Sequence, residues 1–176
     1  VMLQYKPLHD YFFSIIRWSR SEVTRYLNGL YVKTMELLPP QLVIFRLYSF
    51  WPVAKFFNLL GLPSFIAREN AKVYKQSGAF VAFGMELDTP ESYVHVGRTL
   101  QRVWLVATHL GLAMQPVAGV LYLWQRLSCE PRNDFSAKQT KLINSAVESI
   151  AQNTMLAADS LRMLVRIGQG VAPSAY

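Results

Sequence analysis

Apolar positions in the first fifty residues recur at helical spacing. Leu8, Tyr11, Phe12, Ile15 and Ile16 predict a helix over residues 1–18. Ser19 and Glu22 then form a capping-box pattern, in which Ser19 accepts from an early backbone N–H and Glu22 reaches back. The short helix that follows is expected to end at Asn28-Gly29, where glycine supplies a left-handed cap. Pro39-Pro40 predicts a stop. Residues 41–60 read as an aromatic helical stretch (Phe45, Tyr48, Trp51, Phe56, Phe57) interrupted at Pro52, with a turn at Gly61-Leu62-Pro63 and a further helix over 64–76.

The period changes after residue 77. Gly78–Gly84 is a short apolar run bracketed by glycine and predicts a buried strand. Asp88-Thr89-Pro90-Glu91 opens the next helix, with Pro90 in its first turn. Val96, Leu100, Val103 and Ala107 follow at steps of three and four and are expected to face the core, with Arg98, Gln101 and Arg102 elsewhere and Trp104 near a subunit seam. Residues 103–123 have the length of a membrane span, but His109, Gln115, Pro116 and two glycines fall within them; a buried helix followed by a loop is the reading adopted. Residues 129–135 form a polar loop, and Ser136–Ser160 an amphipathic helix. In Leu161–Gly168, Leu161, Met163, Val165 and Ile167 alternate with Arg162 and Arg166, the pattern of a half-buried strand. Two strands make no stable sheet, so further strands are expected from upstream or from a partner.

Composition narrows the class. The chain has 176 residues, 52% of them hydrophobic and 16% charged, which excludes disorder. Its single cysteine, Cys129, cannot form an internal disulfide, and a cytoplasmic setting is expected. The formal charge of +7 raises nucleic-acid binding. The basic residues are nonetheless dispersed, with no run and no zinc-finger or basic-helix motif, so no nucleic-acid partner is expected. No membrane partner is expected either. Val1-Met-Leu-Gln has neither the charged nor the apolar region of a signal peptide, and a start at Val1 is read as that of a piece of a longer protein.

Candidate chemistry is sparse. His9, His95 and His109 have no metal-ligand spacing to each other, to Cys129 or to an acid, and no metal is expected. There is no G-x-S-x-G elbow. Gly168-Gln169-Gly170 lacks the third glycine and the following helix of a dinucleotide fingerprint. What remains is Leu110–Gly119. A long helix breaks at Gly111, Gln115-Pro116 turns the chain, and Ala118-Gly119 allow close approach to the backbone. Two readings stay open there: a helix end with a turn, or a seat for a flat ligand.

Segment 95–116, HVGRTLQRVWLVATHLGLAMQP, resembles the central helix and following loop of the FMN-dependent nitroreductase superfamily. Segment 161–168, LRMLVRIG, is similar to that family's last core strand, and Ala172-Pro173-Ser174-Ala175 to the approach to its C-terminal phosphate contact. The resemblance covers residues 77–175; residues 1–76 form a helical, aromatic-rich segment read as a cap or lid, and 77–176 the C-terminal part of a nitroreductase-like domain. It implies an α+β fold, a mixed sheet flanked by helices in an intertwined homodimer. It also implies FMN at the dimer interface, reduced by NAD(P)H and passing electrons to a small-molecule acceptor. Gln115, Pro116, Val117 and Ala118 would line one face of the isoalloxazine, their backbone N–H groups stabilising the charge of reduced flavin. No catalytic residue is assigned. Arg98 and Arg102 fall either at the dimer seam or on a solvated face. The family's Arg-rich opening motif is not visible before residue 77, and its final basic phosphate contact would lie past Tyr176. Each lost charge-assisted contact is worth ~1.5–3 kcal/mol, so this chain alone is expected to hold flavin weakly or not at all. Such modules also occur fused to ThiF-type adenylating domains. The alternative reading is a non-catalytic dimerisation or binding module that has lost its flavin.

Overall fold

The computed structural model describes residues 4–129 and 135–170. The phosphate-approach segment 172–175 and most of the expected 129–135 loop lie outside these. The described chain is α+β and forms two compact units divided within one helix, between Lys72 and Val73.

In the first unit, α1 (Lys6–Ser14) ends before the predicted residue 18, because Ile16–Arg17 become β1 and pair in parallel with β2 (Leu30–Tyr31). Between them lies α2 (Arg20–Arg25). Its capping box is present with one partner shifted: Ser19 Oγ accepts from Glu22 N at 3.2 Å, while Glu22 Oε2 accepts from the N–H of Trp18 at 2.6 Å. Gly29 turns the chain into β2 at φ 100°, and a Cβ there would lie 2.4 Å from the carbonyl of Ile15. Arg17 fastens the same turn, donating to Asn28 O, Asn28 Oδ1 and Ser14 O.

Pro39-Pro40 opens α3 (Pro39–Tyr48) instead of stopping a helix. The first helical N–H groups have no intrahelical acceptor, so proline costs nothing there; the N–H of Leu38 is taken by Gln41 Oε1 at 2.9 Å. The break in the aromatic stretch falls at Ser49-Phe50, and Pro52 lies in the first turn of α4 (Trp51–Leu59). Gly61, at φ 79°, turns the chain into α5 (Leu62–Lys75). The centre of this unit is aromatic. His9 is fully buried, its ring 4.7 Å from Phe13 and 5.1 Å from Trp51, and Phe13 meets Phe45 at 5.0 Å.

The second unit is built on a three-stranded antiparallel sheet, ordered β3 (Ala79–Gly84), β5 (Leu161–Gly168), β4 (Ala113–Pro116). Both predicted strands are present, and β5 lies at the centre. The adjacent Leu164 and Val165, which point to opposite faces, are both buried, as is Leu161, where alternation alone suggested one buried face. β4 occupies residues expected to turn. Gly111, at φ 70°, reverses the chain after α6 (Pro90–His109), so Ala113–Pro116 runs back along β5. Thr89 Oγ1 caps α6 by accepting from Ser92 N, and Val96, Leu100, Val103 and Ala107 are its covered positions, as the spacing predicts. α7 (Gly119–Cys129) and α8 (Ala137–Thr154) pack on each other, and α7 packs on β5. α8 has a full capping box between Ser136 and Gln139 and stops at Met155, φ 56°, short of the expected Ser160. Leu121, Val147, Leu161 and Leu164 make the core, with Ala82, Val117 and Trp124 against it.

Candidate functional site

Cross-strand pairing in the second unit sets Phe80 of β3, Arg166 of β5 and Gln115 of β4 in one row. One row further along, Ala82, Leu164 and Val117 occupy the same face and belong to the core under α7 and α8. The face thus changes character in a single step, from closed and apolar to open and polar.

Arg166 organises the open part. Its Nε donates to Gln115 Oε1 at 2.6 Å, and Nη1 donates to the carbonyl of Val73 at 3.4 Å. The guanidinium lies 5.3 Å from the centre of the Tyr74 ring, and Tyr74 meets Phe80 edge-on at 6.4 Å. A planar cation stacked on an aromatic face and held by a fixed acceptor has little rotameric freedom. Gln115 carries one donor group besides this acceptor, and its amide orientation is set by the arginine, which only donates.

The row opens onto a cleft of about 450 Å³ lined by Gln76, Ser77, Met114, Gln115, Arg166 and Gln169, among others. Ser77 Oγ is buried and has no hydrogen-bond partner among the described residues. An unsatisfied buried hydroxyl is costly, and beside a cation and an amide it marks a wall suited to a polar or anionic group.

Of the four residues singled out in the sequence, Gln115 lines this cleft. Pro116 is exposed on the edge strand, opposite Val165. The N–H of Val117 donates to Leu164 O at 2.8 Å, which makes 117/164 a hydrogen-bonded pair, so Pro116 falls at the position where the ladder needs no donor. Val117 turns into the core and Ala118 is buried; both anchor the turn. Beyond them Gly119 faces open space, with no atom within 4 Å of where a Cβ would be. The first N–H groups of α7 are free of intrahelical acceptors, and the first helical bond there runs from Tyr122 N to Ala118 O.

The remaining candidates lie elsewhere. Arg98 and Arg102 are exposed on α6, in a stripe at steps of four with Val94, Val106 and Leu110, all exposed. His109 is in the last turn of α6, where it complements the helix dipole. His9 is structural: Nε2 donates to Tyr48 O at 2.9 Å, and Nδ1 lies 3.2 Å from Asp10 Oδ1. Asp10 also binds Lys6, and these two partners, Lys6 first, hold its carboxyl below the ordinary 3.8. Burial raises the Tyr48 phenol above its ordinary 10.0, against the opposing effect of its hydrogen bond to Asn58. No cluster among the described residues could hold a metal ion. Sequence reasoning missed Arg166, Tyr74 and Ser77. The signal was an arginine on an alternating strand, and its meaning depends on Gln115 being its cross-strand neighbour.

Comparison of the chain with family models, with curated proteins and with solved structures returns no match.

Proposed function

We propose that the chain is the C-terminal part of an FMN-dependent NAD(P)H oxidoreductase of nitroreductase type that works as a homodimer. The observation that carries this reading is the turn from β4 to α7. Its anchors, Val117 and Ala118, are fixed in the core, while Pro116 and Gly119 leave one side bare. A flat ring can approach the backbone there at van der Waals distance, because no side chain at 119 intervenes. Pro116, Gly119 and the first N–H groups of α7 would hold the ring system; Gln115, Arg166 and Ser77 would meet polar groups in the adjoining cleft. When bound, FMN supplies the chemistry of accepting a hydride from NAD(P)H and passing electrons to an acceptor. The protein's part is to place donors where charge collects and to keep one face of the ring covered.

The exposed stripe of α6 supports the dimer. Val94, Leu105, Val106 and Leu110 are all exposed on a helix whose other side is already covered, and apolar surface of this kind marks an interface.

The test is FMN titration of the full protein, followed by quenching of flavin fluorescence and by oxidation of NADH or NADPH with a quinone acceptor. Binding should weaken in Gly119→Leu, which fills the open side of the turn. A dimeric full protein that takes up no FMN overturns the enzyme reading in favour of a module that has lost its flavin.

A further inference from the structure

The corner between α4 and α5 is an apolar prominence. Leu59 is 85% exposed, Leu60 65%, Phe65 60% and Phe56 58%. Gly61, between the two helices, has no atom within 4 Å of a Cβ position, and none of the fourteen residues of α5 is buried. Phe56, Leu59 and Leu60 follow one another at helical spacing on α4, so they share one exposed side. Lys55 stands one turn before Leu59, and Arg68 one turn after Phe65; both are exposed. From Leu37 to Arg68 the chain carries three cations and no carboxylate.

We propose that this corner docks in the interface of an anionic lipid bilayer. Four apolar side chains on a convex turn need no shaped receptor; they enter the boundary between headgroups and acyl chains, while flanking Lys and Arg extend toward lipid phosphates. Charge argues against a second copy as the occupant. A two-fold contact through this patch sets it against itself, bringing Lys55 and Arg68 toward like charges, while Glu69, the carboxylate next to Arg68, is already paired with Lys72 at 2.7 Å. No helix among the described residues is long and apolar enough to cross a membrane, and α4 has only nine residues. The expectation of no membrane partner rested on the absence of a spanning segment, which does not bear on a helix corner lying in the interface.

Flotation of the whole protein with phosphatidylcholine–phosphatidylserine vesicles tests this. Wild type should float with them and bind pure phosphatidylcholine about tenfold or more weakly, since each cation near an anionic surface contributes about a fivefold gain. Leu59→Ser should lower partitioning about tenfold, and Leu59→Ser with Leu60→Ser about a hundredfold. Both side chains are exposed, so circular dichroism of the variants should match wild type. If the double variant fails to fold, the single variant Leu59→Gln reads the same loss. Wild type that stays behind the vesicles overturns the proposal, as does flotation insensitive to the leucines. Retention on immobilised polyglutamate without vesicle binding transfers the patch to an acidic protein partner. A dimer of wild type that Leu59→Ser makes monomeric, again without vesicle binding, transfers it to a second copy.

Discussion

Removing the guanidinium of Arg166 should loosen the sheet edge that carries the candidate site. Arg166→Met keeps the methylene stem over Tyr74 and removes three interactions. The bond to Gln115, at 2.6 Å, is charge-assisted but solvent-accessible. Such a bond contributes about 1.5 kcal/mol when sheltered, and we take about 0.5–1 kcal/mol for this one. The stack on Tyr74, at 5.3 Å, adds about 0.5–1 kcal/mol. The 3.4 Å bond to Val73 adds little. The sum is about 1–2 kcal/mol. In a unit of this size each kcal/mol moves the midpoint by roughly 4–8 °C, so Arg166→Met should melt roughly 5–15 °C below wild type. Gln115→Leu should cost about 0.5–1 kcal/mol. Because the two changes break the same bond, a double-mutant cycle should return about 0.5–1 kcal/mol of coupling. Arg166→Lys restores the charge without the planar fork and should recover only part of the loss. The assay is thermal unfolding of all five proteins. Coupling indistinguishable from zero would show that Gln115 and Arg166 act independently, and the site as described would fall. Full recovery in Arg166→Lys would refute the role given to guanidinium geometry.

Other consequences follow from single features. Gly29→Ala places a Cβ 2.4 Å from Ile15 O at φ 100° and should destabilise the first unit by about 2–3 kcal/mol; denaturant unfolding followed by tryptophan fluorescence measures it. Leu164→Ala opens a cavity in the core of the second unit and should cost about 2–4 kcal/mol by the same assay. Asp10 should titrate below 3.8 in carboxyl NMR and return toward it in Lys6→Met. Because its folded value is depressed, its stabilising contribution is present above the ordinary carboxylate range and fades as acid protonates it. Tyr48 has the opposite sign. Its raised phenol favours the folded form until the unfolded phenol ionises near 10.0, so stability falls as pH climbs beyond that, and Tyr48→Phe should flatten the alkaline limb of the unfolding curve. Trp104→Asp, on α6, should split or unfold the proposed dimer, read by sedimentation at micromolar concentration; an unchanged dimer would place the seam elsewhere.

The sequence by itself determined the elements whose signals are local. Ser136 with Gln139, and Thr89 with Ser92, fix helix starts through bonds that span one turn. The apolar run at 79–84 and the alternation at 161–168 specify strands because a pleated chain shows each face every second residue. The inward stripe of α6 was legible for the same reason, at the helical period. Tertiary structure decided the rest. Ala113–Pro116 has too few residues to declare a period, and it is a strand only because Gly111 lays it along β5. That same pairing gives Gln115 its arginine, so the cleft exists only once residues fifty-one apart become neighbours. Pro39-Pro40 could end one helix or begin another, and the neighbouring Gln41 side chain, which accepts from the N–H of Leu38, belongs to a beginning. Burial on both faces of β5 follows from the helices packed on the sheet, and exposure of Leu59 and Leu60 from a corner that none of the described residues covers. Hydrophobic pattern states what a residue prefers; only packing among distant segments states whether that preference is met.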